Sequence, residues 1–159
     1  MIKKRSWYPH VTVATVIEHE GRFLLVSEYD SGRLVYNQPA GHLEAGETIL
    51  EAALRETLEE TGYECTLTHS LGIRHTVSSA GITYIRHSFS AQLGSKVSEE
   101  LDSDIEAVHW LSPRDCLAGD IQFRSPMVMV DINAHLEKSW HTLDLYKEHR
   151  CVHVNDGTG

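Results

Sequence analysis

The sequence predicts an α/β fold in which a mixed β-sheet lies between helices. Short runs rich in β-branched residues, separated by turn residues, occur both before and after residues 41–63. Within residues 41–63, by contrast, apolar side chains recur with the 3.6-residue period of a helix. Two Ser-Pro steps in the last third of the chain indicate further helices, because proline is favoured in the first turn.

The predicted strands share alternating or β-branched composition and are bounded by turn residues. In chain order they are 10–17, 22–27, 34–36, 64–77 (straight or bent), 82–93 and 105–111. Turns are predicted at 18–21, 30–32 and 78–81, and Pro39 ends the third strand. Residues 94–104 are polar and acidic, which is typical of a loop. Alternation along 82–93 places Arg86 and Tyr84 on one face, from which Arg86 can reach a cleft.

Helices are predicted where capping residues meet apolar periodicity. Thr48 is an N-cap with Glu51 three residues later, as in a capping box, so the first helix begins near Ile49. Gly62 ends this helix, since glycine adopts the left-handed conformation readily. Ser112-Pro113 starts a short helix, and Ser125-Pro126 starts one over 127–140. The expected inward stripe of this last helix is Val128, Ile132, His135 and Leu136.

Length and composition favour a single domain over residues 1–159, with its core at about 8–140 and a tail at 141–159 whose last few residues we expect to be loose. No apolar run reaches the roughly 18–20 residues of a membrane span, and no apolar segment follows the basic start. We therefore expect a cytoplasmic protein without a membrane partner. Cys65, Cys116 and Cys151 are widely spaced, which favours neither a disulfide framework nor a thiolate zinc site.

The charge balance excludes one class of partner. The chain has 14 Lys and Arg against 23 Asp and Glu, a net charge of −9. Binding of nucleic acid polymers requires a basic surface that displaces counterions, so such partners are not expected. A small phosphorylated substrate is compatible with this charge if a divalent metal ion neutralises an acidic cleft. The sequence is compatible with both a monomer and a homodimer.

The helix predicted from Ile49 has one acidic side. Glu56, Glu59 and Glu60 stand at i, i+3 and i+4, so they share one side of the helix. Like charges at this spacing destabilise a helix by a few tenths of a kcal/mol per pair, roughly, which indicates a missing cation. The opposite side, predicted to pack on a core, has Leu50, Ala53, Leu54, Thr57 and Leu58.

Residues 41–63 resemble the Nudix box, G-x5-E-x7-R-E-U-x-E-E-x-G-U, in which U is aliphatic. The matching positions are Gly41, Glu47, Arg55, Glu56, Glu59, Glu60 and Gly62. Thr57 and Tyr63 depart from it, since they stand where aliphatic residues are usual. The resemblance, which extends over about 8–140, implies an α/β/α sandwich and hydrolysis of a nucleoside diphosphate linked to another group. A solvated acidic helix face is the alternative interpretation.

The resemblance also implies roles for individual residues. It assigns Glu56, Glu59 and Glu60, with the carbonyl of Gly41, as ligands of Mg²⁺ or Mn²⁺. Arg55 is expected to orient a carboxylate such as that of Glu47 through a bidentate pair. The alternative for Arg55 is a surface pair with the residue four positions before it, Glu51.

The general base and the substrate contacts are less closely defined. Candidates for the base are Glu59, Glu60, Asp102, Asp104 and Glu106. Arg86 and Arg124 are candidate phosphate clamps, because guanidinium forks suit phosphate oxygens. Tyr36, Tyr84 and Trp110 are candidates for stacking on a base or a pyrimidine ring. A purely structural role is the alternative for each of these arginines and aromatics.

Four further stretches resemble a bacterial phosphatase subgroup of the Nudix family; they are 9–14, 37–48, 102–105 and 124–126. That resemblance implies hydrolysis of nucleoside tri- and diphosphates and of thiamin-precursor pyrophosphates, with stepwise release of orthophosphate. One alternative is an ADP-ribose or dinucleotide polyphosphate pyrophosphatase. Another is a Nudix-like sensor that binds a nucleotide without turnover.

Overall fold

A computed structural model describes residues 7–148, so Cys151 and the end of the tail that was expected to be loose lie outside the described residues. The strands are β1 His10–His19, β2 Arg22–Asp30, β3 Arg33–Asn37, β4 Ala40–His42, β5 Tyr63–Val77, β6 Thr83–Lys96 and β7 Ile105–Leu111. The helices are α1 Ile49–Thr61, α2 Pro113–Leu117 and α3 Met127–Leu136, followed by a 3₁₀ turn, Leu143–Leu145.

The strands form a mixed sheet in the order β3-β2-β1-β6-β5, with β4 paired to β1 and β7 to β2. β1 and β6 are parallel, with His10 opposite Tyr84, and the other pairs are antiparallel. The register between β1 and β2 covers only the end of β1, where Glu18 lies opposite Phe23. β1 therefore connects one group of strands, β4, β5 and β6, to another, β2, β3 and β7.

Helices cover both faces of this sheet. Ala52 and Ala53 of α1 pack with Val13 of β1 in one core cluster. Val128 of α3 packs with Val16 of β1 in another. Since Val13 and Val16 are an odd number of residues apart, they point to opposite faces of the strand. The predicted α/β fold with a mixed sheet between helices is confirmed.

The predicted ends of α1 are also confirmed. Thr48 Oγ1 accepts a hydrogen bond from the Glu51 N–H at 3.2 Å, and Glu51 Oε2 accepts one from the Thr48 N–H at 2.8 Å. Gly62, with φ of +73°, donates its N–H to the Leu58 carbonyl at 2.8 Å. A side chain at Gly62 is excluded for a second reason, because a Cβ atom there would lie 2.1 Å from the Ser98 carbonyl oxygen.

The buried side of α1 differs in part from the predicted one. Leu54 is 39% exposed, whereas Thr57 is fully buried. The Thr57 hydroxyl donates to the Ala53 carbonyl at 2.7 Å and lies 2.8 Å from the Thr15 hydroxyl of β1. A threonine is therefore accommodated where an aliphatic residue is usual, because both of its polar contacts are made inside the core.

Several element boundaries differ from the predictions. β4 is a strand that was not predicted, and β6 continues to Lys96, which shortens the acidic loop. α3 ends at Leu136 rather than at residue 140, since Lys138 has a positive φ of 56°. Its N-cap is Pro126 rather than Ser125, and Leu136 of the predicted inward stripe is 46% exposed.

Two expectations from the sequence concern a membrane span and the cysteines. Among residues 7–148, no helix has the length and apolar character needed to cross a membrane. Cys65 and Cys116 are free thiols. Burial is the main cause that raises the pKa of both thiols, so neither has the character of a reactive thiolate.

Candidate active site

An open cleft with a volume of about 890 Å³ lies beside α1 and β4. Its lining combines acidic, basic and aromatic side chains, which suits a ligand that has both charged and ring-shaped parts. The acidic residues are Glu28, Asp30, Glu60, Asp102 and Asp104; the basic residues are Arg86 and Arg124; the rings are those of His42 and Tyr84.

β4 lies directly against the acidic side of α1. The Ala40 N–H donates to Glu60 Oε2 at 2.9 Å. A Cβ atom at Gly41 would lie 2.1 Å from the Glu56 carboxylate, so only glycine permits this approach. The backbone of β4 and two of the three carboxylates predicted as metal ligands are therefore in direct contact.

Arg55 joins most of the charged side chains around this contact. It forms the expected bidentate pair with Glu47, at 2.9 Å from Nε to Oε2 and 2.7 Å from Nη2 to Oε1. Its Nη1 donates to Glu56 and to Glu59, each at 2.9 Å. The hydrogen bond from Arg55 is the main cause that lowers the pKa of Glu47, so Glu47 is ionised at neutral pH.

The pKa values of Glu56 and Glu60 are shifted in the other direction, upward. Burial raises the pKa of Glu60 to about 8, although the Ala40 N–H opposes this, and the carboxylates of Glu56, Glu28 and Asp102 add to it. Burial also raises the pKa of Glu56, against the opposing effect of Arg55. Several carboxylates thus share a region with too little positive charge, which favours the binding of a cation.

The donor set suits a hard divalent metal ion. Carboxylate and carbonyl oxygens are the ligands of Mg²⁺ and Mn²⁺, and Glu56, Glu60 and the Gly41 backbone supply them side by side. Within residues 7–148, no group of three His, Cys, Asp or Glu side chains is arranged so that it could hold a metal ion. Glu59, with its side chain 46% exposed, is turned toward Arg55.

The other predicted site residues fall into two groups. Arg86, Arg124, Tyr84, Asp102 and Asp104 line the cleft, and Arg124 Nη1 lies 2.7 Å from both carboxylate oxygens of Glu28. Tyr36, Trp110 and Glu106 are not among the lining residues. The Tyr36 ring packs against His109, with centroids 5.0 Å apart, the Trp110 ring against Tyr63, and Glu106 is exposed on β7.

One residue that the sequence did not single out lies behind Arg86. Asp131 of α3 is fully buried and accepts hydrogen bonds from Gln38 Nε2 at 2.7 Å, Ser88 Oγ at 2.8 Å and Arg86 Nε at 3.3 Å. Arg74 Nη1 forms an ion pair with its Oδ1 at 2.9 Å, at an angle outside hydrogen-bond geometry. The available signal was an aspartate one residue before Ile132, inside an apolar helix.

A family model, a relative of known sequence and a solved structure all match this chain and agree with one another. A family model described as the NUDIX domain matches residues 8–129. Phosphatase NudJ of Escherichia coli strain K12 is 37% identical over 138 residues, which cover 86% of this chain and 90% of the relative. A NUDIX hydrolase from Nitrosomonas europaea superposes with a TM-score of 0.85 at 39% identity, over 89% of this chain and 98% of that one.

A more distant structure shares the fold alone. The NUDIX domain of Shewanella oneidensis NrtR, complexed with ADP ribose, superposes with a TM-score of 0.70 at 17% identity. The superposition covers 86% of this chain and 92% of that one. The same architecture is thus present in chains of quite different sequence.

Proposed function

The chain belongs to the Nudix family and is a phosphoanhydride hydrolase of its NudJ phosphatase subgroup, and from this premise we propose its substrates and the residues that act on them. The proposed substrates are nucleoside tri- and diphosphates and thiamin-precursor pyrophosphates, from which orthophosphate is released stepwise. The observation that carries the proposal is the contact of Glu56 and Glu60 with β4, at the edge of a cleft that also contains arginines.

The proposed cofactor is Mg²⁺ or Mn²⁺, and Nudix hydrolases generally use divalent metal ions. Glu56, Glu60 and the Gly41 carbonyl would hold the ion, with Glu59 as the third carboxylate of the family pattern. When bound, such an ion neutralises charge on the phosphates and lowers the pKa of an attacking water. The donor chemistry and the raised pKa values of Glu56 and Glu60 support this assignment.

The chain's own residues have separate tasks in this proposal. Arg55 fixes the positions of Glu47, Glu56 and Glu59 through its hydrogen bonds. Arg86 and Arg124 bind phosphate oxygens, and Arg124 exchanges its Glu28 partner for the phosphate.

The general base is proposed among carboxylates near the phosphates. Glu60, Asp102 and Asp104 line the cleft, and this position supports them over Glu106, which is exposed on β7 outside the lining. Glu59, next to Glu60 on α1 but not among the lining residues, stays a candidate. Tyr36 also stays a prediction as a substrate contact, since its ring lies outside the cleft lining.

The order of product release tests the reaction. With a nucleoside triphosphate and Mg²⁺, we expect orthophosphate and the nucleoside diphosphate first, and the monophosphate only afterwards. The products are separated by anion-exchange chromatography at several times, with a chelator as the control. Early monophosphate together with pyrophosphate would instead indicate a pyrophosphatase, and absence of turnover would indicate a sensor.

Divalent metal ions are expected to stabilise the protein, and more strongly at alkaline pH. Because the folded protein raises the pKa of Glu60 to about 8 from 4.5, it favours the protonated form. The metal-free protein therefore loses stability as pH rises from about 4.5 to 8, since the unfolded state ionises first. Metal binding requires the ionised carboxylates and offsets this loss.

The measurement is Tm with and without Mg²⁺ or Mn²⁺ at pH 5.5 and 8.5. At about 100 times Kd the ion adds about 2.7 kcal/mol to the free energy of unfolding. NaCl at matched ionic strength controls for screening of charges. Equal Tm values with and without either ion at pH 8.5 would remove the metal site from the proposal.

Location and assembly complete the proposal. We propose that the enzyme acts in the cytoplasm, which the free thiols of Cys65 and Cys116 support, since that compartment keeps thiols reduced. Residues 1–159 are proposed to form one domain. Monomer and homodimer stay open, and sedimentation equilibrium distinguishes them.

A further inference from the structure

One wall of the cleft is formed by aromatic rings. Tyr84 and His42 line the cleft, and His10 lies against both. His10 Nδ1 is 3.1 Å from His42 Nε2, and the Tyr84 centroid lies 5.3 Å from that of His10 and 6.4 Å from that of His42. Together the three rings of Tyr84, His42 and His10 form a ring wall.

The ring wall is held in place by three neighbouring strands. His10 of β1 lies directly opposite Tyr84 of β6, and Thr12, two residues along β1, lies opposite His42 of β4. The His42 carbonyl accepts a hydrogen bond from Arg55 Nη2 at 3.0 Å. The same arginine holds the carboxylates of Glu56 and Glu59, so the ring wall and the acidic side of α1 have a common anchor.

Packing of the core does not account for these rings. His10 and His42 are exposed, and Tyr84 is only partly buried. Val77, which is 59% exposed, lines the same cleft and adds apolar surface to it. Exposed rings and an exposed aliphatic side chain in one concave site are typical of a surface that a ligand covers.

The ring wall lies at a short distance from a candidate phosphate contact. Tyr84 and Arg86 are two residues apart on β6, so they lie on the same face and are separated by roughly 6.6 Å along the strand. Such a spacing suits a ligand in which a planar ring and a phosphate are joined by a sugar or another short linker. Gly41, next in sequence to His42, lies against the Glu56 carboxylate, so the ring wall also adjoins the candidate metal ligands.

We propose that the ring wall binds the heteroaromatic ring of the substrate, a nucleobase or a pyrimidine, by stacking on Tyr84. The proposal rests on the proposed function, because it assigns the organic part of a substrate whose diphosphate is held by the carboxylates and arginines. Stacking on an aromatic side chain is tolerant of ring identity, since every such ring has a π-face. The ring wall thus selects for the presence of a ring rather than for one base.

The test compares a ligand that has the ring with one that lacks it. The probes are an α,β-methylene nucleoside diphosphate and methylenediphosphonate, both with Mg²⁺, and Kd is measured by calorimetry. In Tyr84→Ala we expect the nucleotide probe to bind roughly 5- to 150-fold more weakly, with an unchanged Kd for methylenediphosphonate. Tyr84→Phe retains the ring face and is expected to restore binding of the nucleotide probe.

Tyr29→Ala is the matched control, because Tyr29 is 61% exposed on β2 and is not among the cleft residues. Tyr29→Ala should leave the Kd of both probes unchanged. Tm measurements verify that all variants fold. If Tyr84→Ala weakens the binding of both probes equally, or does not weaken the binding of the nucleotide probe, the proposal that the ring wall binds the substrate ring is wrong. Failure of the proposed function is seen separately, as absence of phosphate release from nucleoside triphosphate by the unmodified enzyme.

Discussion

Glu60→Gln is expected to lower kcat by a factor of about 10² or more while the fold is retained. Glutamine has nearly the same shape, and its carbonyl oxygen can still accept the hydrogen bond that the Ala40 N–H donates at 2.9 Å. The variant lacks the negative charge that a metal ion requires. The loss should therefore appear in turnover rather than in folding.

Whereas kcat falls, the stability of the metal-free Glu60→Gln variant is expected to stay the same or to rise. Since burial raises the pKa of Glu60 to about 8, its ionised form opposes folding when no cation is bound. At pH 8.5 the metal-free variant should therefore melt at or above the Tm of the unmodified protein, and its response to Mg²⁺ should be reduced. Phosphate release and Tm at pH 5.5 and 8.5 measure both effects. Unchanged turnover would exclude Glu60 from the mechanism.

Glu59→Gln is the matched comparison, one residue earlier on α1. It is also expected to reduce turnover by orders of magnitude, because it removes a charge from the same acidic side. A gain in stability is not expected, since the Glu59 side chain is 46% exposed and accepts a hydrogen bond from Arg55. Full activity in this variant would show that Glu59 is not a ligand.

Asp131→Ala is expected to lower the free energy of unfolding by about 3–5 kcal/mol. Asp131 is fully buried, and the side chains of Arg86 and Arg74 that pair with it are only 12% and 21% exposed. Without the carboxylate, two largely buried guanidinium groups lose their counter-charge, and Gln38 and Ser88 lose an acceptor.

Urea denaturation measures the effect of Asp131→Ala, with Asp120→Ala as the matched control. Asp120 is exposed, so its removal should change stability by no more than about 0.5 kcal/mol. Asp131→Asn separates the contributions, because it retains an acceptor but not the charge. An unchanged denaturation midpoint in Asp131→Ala would show that the buried pairs contribute nothing to stability.

The elements that could be predicted from the sequence are those whose signals are local. The ends of α1 follow from Thr48, Glu51 and Gly62, all within one segment, and both ends are confirmed. β4 could not be predicted, because Ala40–His42 has no strand composition of its own. It becomes a strand only by pairing with β1, some thirty residues earlier.

The same distinction holds for the candidate site. The carboxylates of α1 and their partner Arg55 lie within a few turns of one another, so their spacing alone indicated a charged site. The contacts of Asp131 and the pair of Glu28 with Arg124 join residues more than forty positions apart. Local sequence contains no information on such contacts. The position of Tyr36 outside the cleft likewise depends on how β3 packs.

The hydroxyl pair between Thr57 and Thr15 has a consequence for how accurately α1 is held. Aliphatic side chains tolerate small slippage between a helix and a sheet, because dispersion attraction has little directionality. A hydrogen bond of 2.8 Å, by contrast, weakens quickly with displacement. The pair therefore fixes the axial position of α1 at Thr57, which is next in sequence to Glu56. Thermal displacement of the neighbouring carboxylates along the helix axis is accordingly expected to be small.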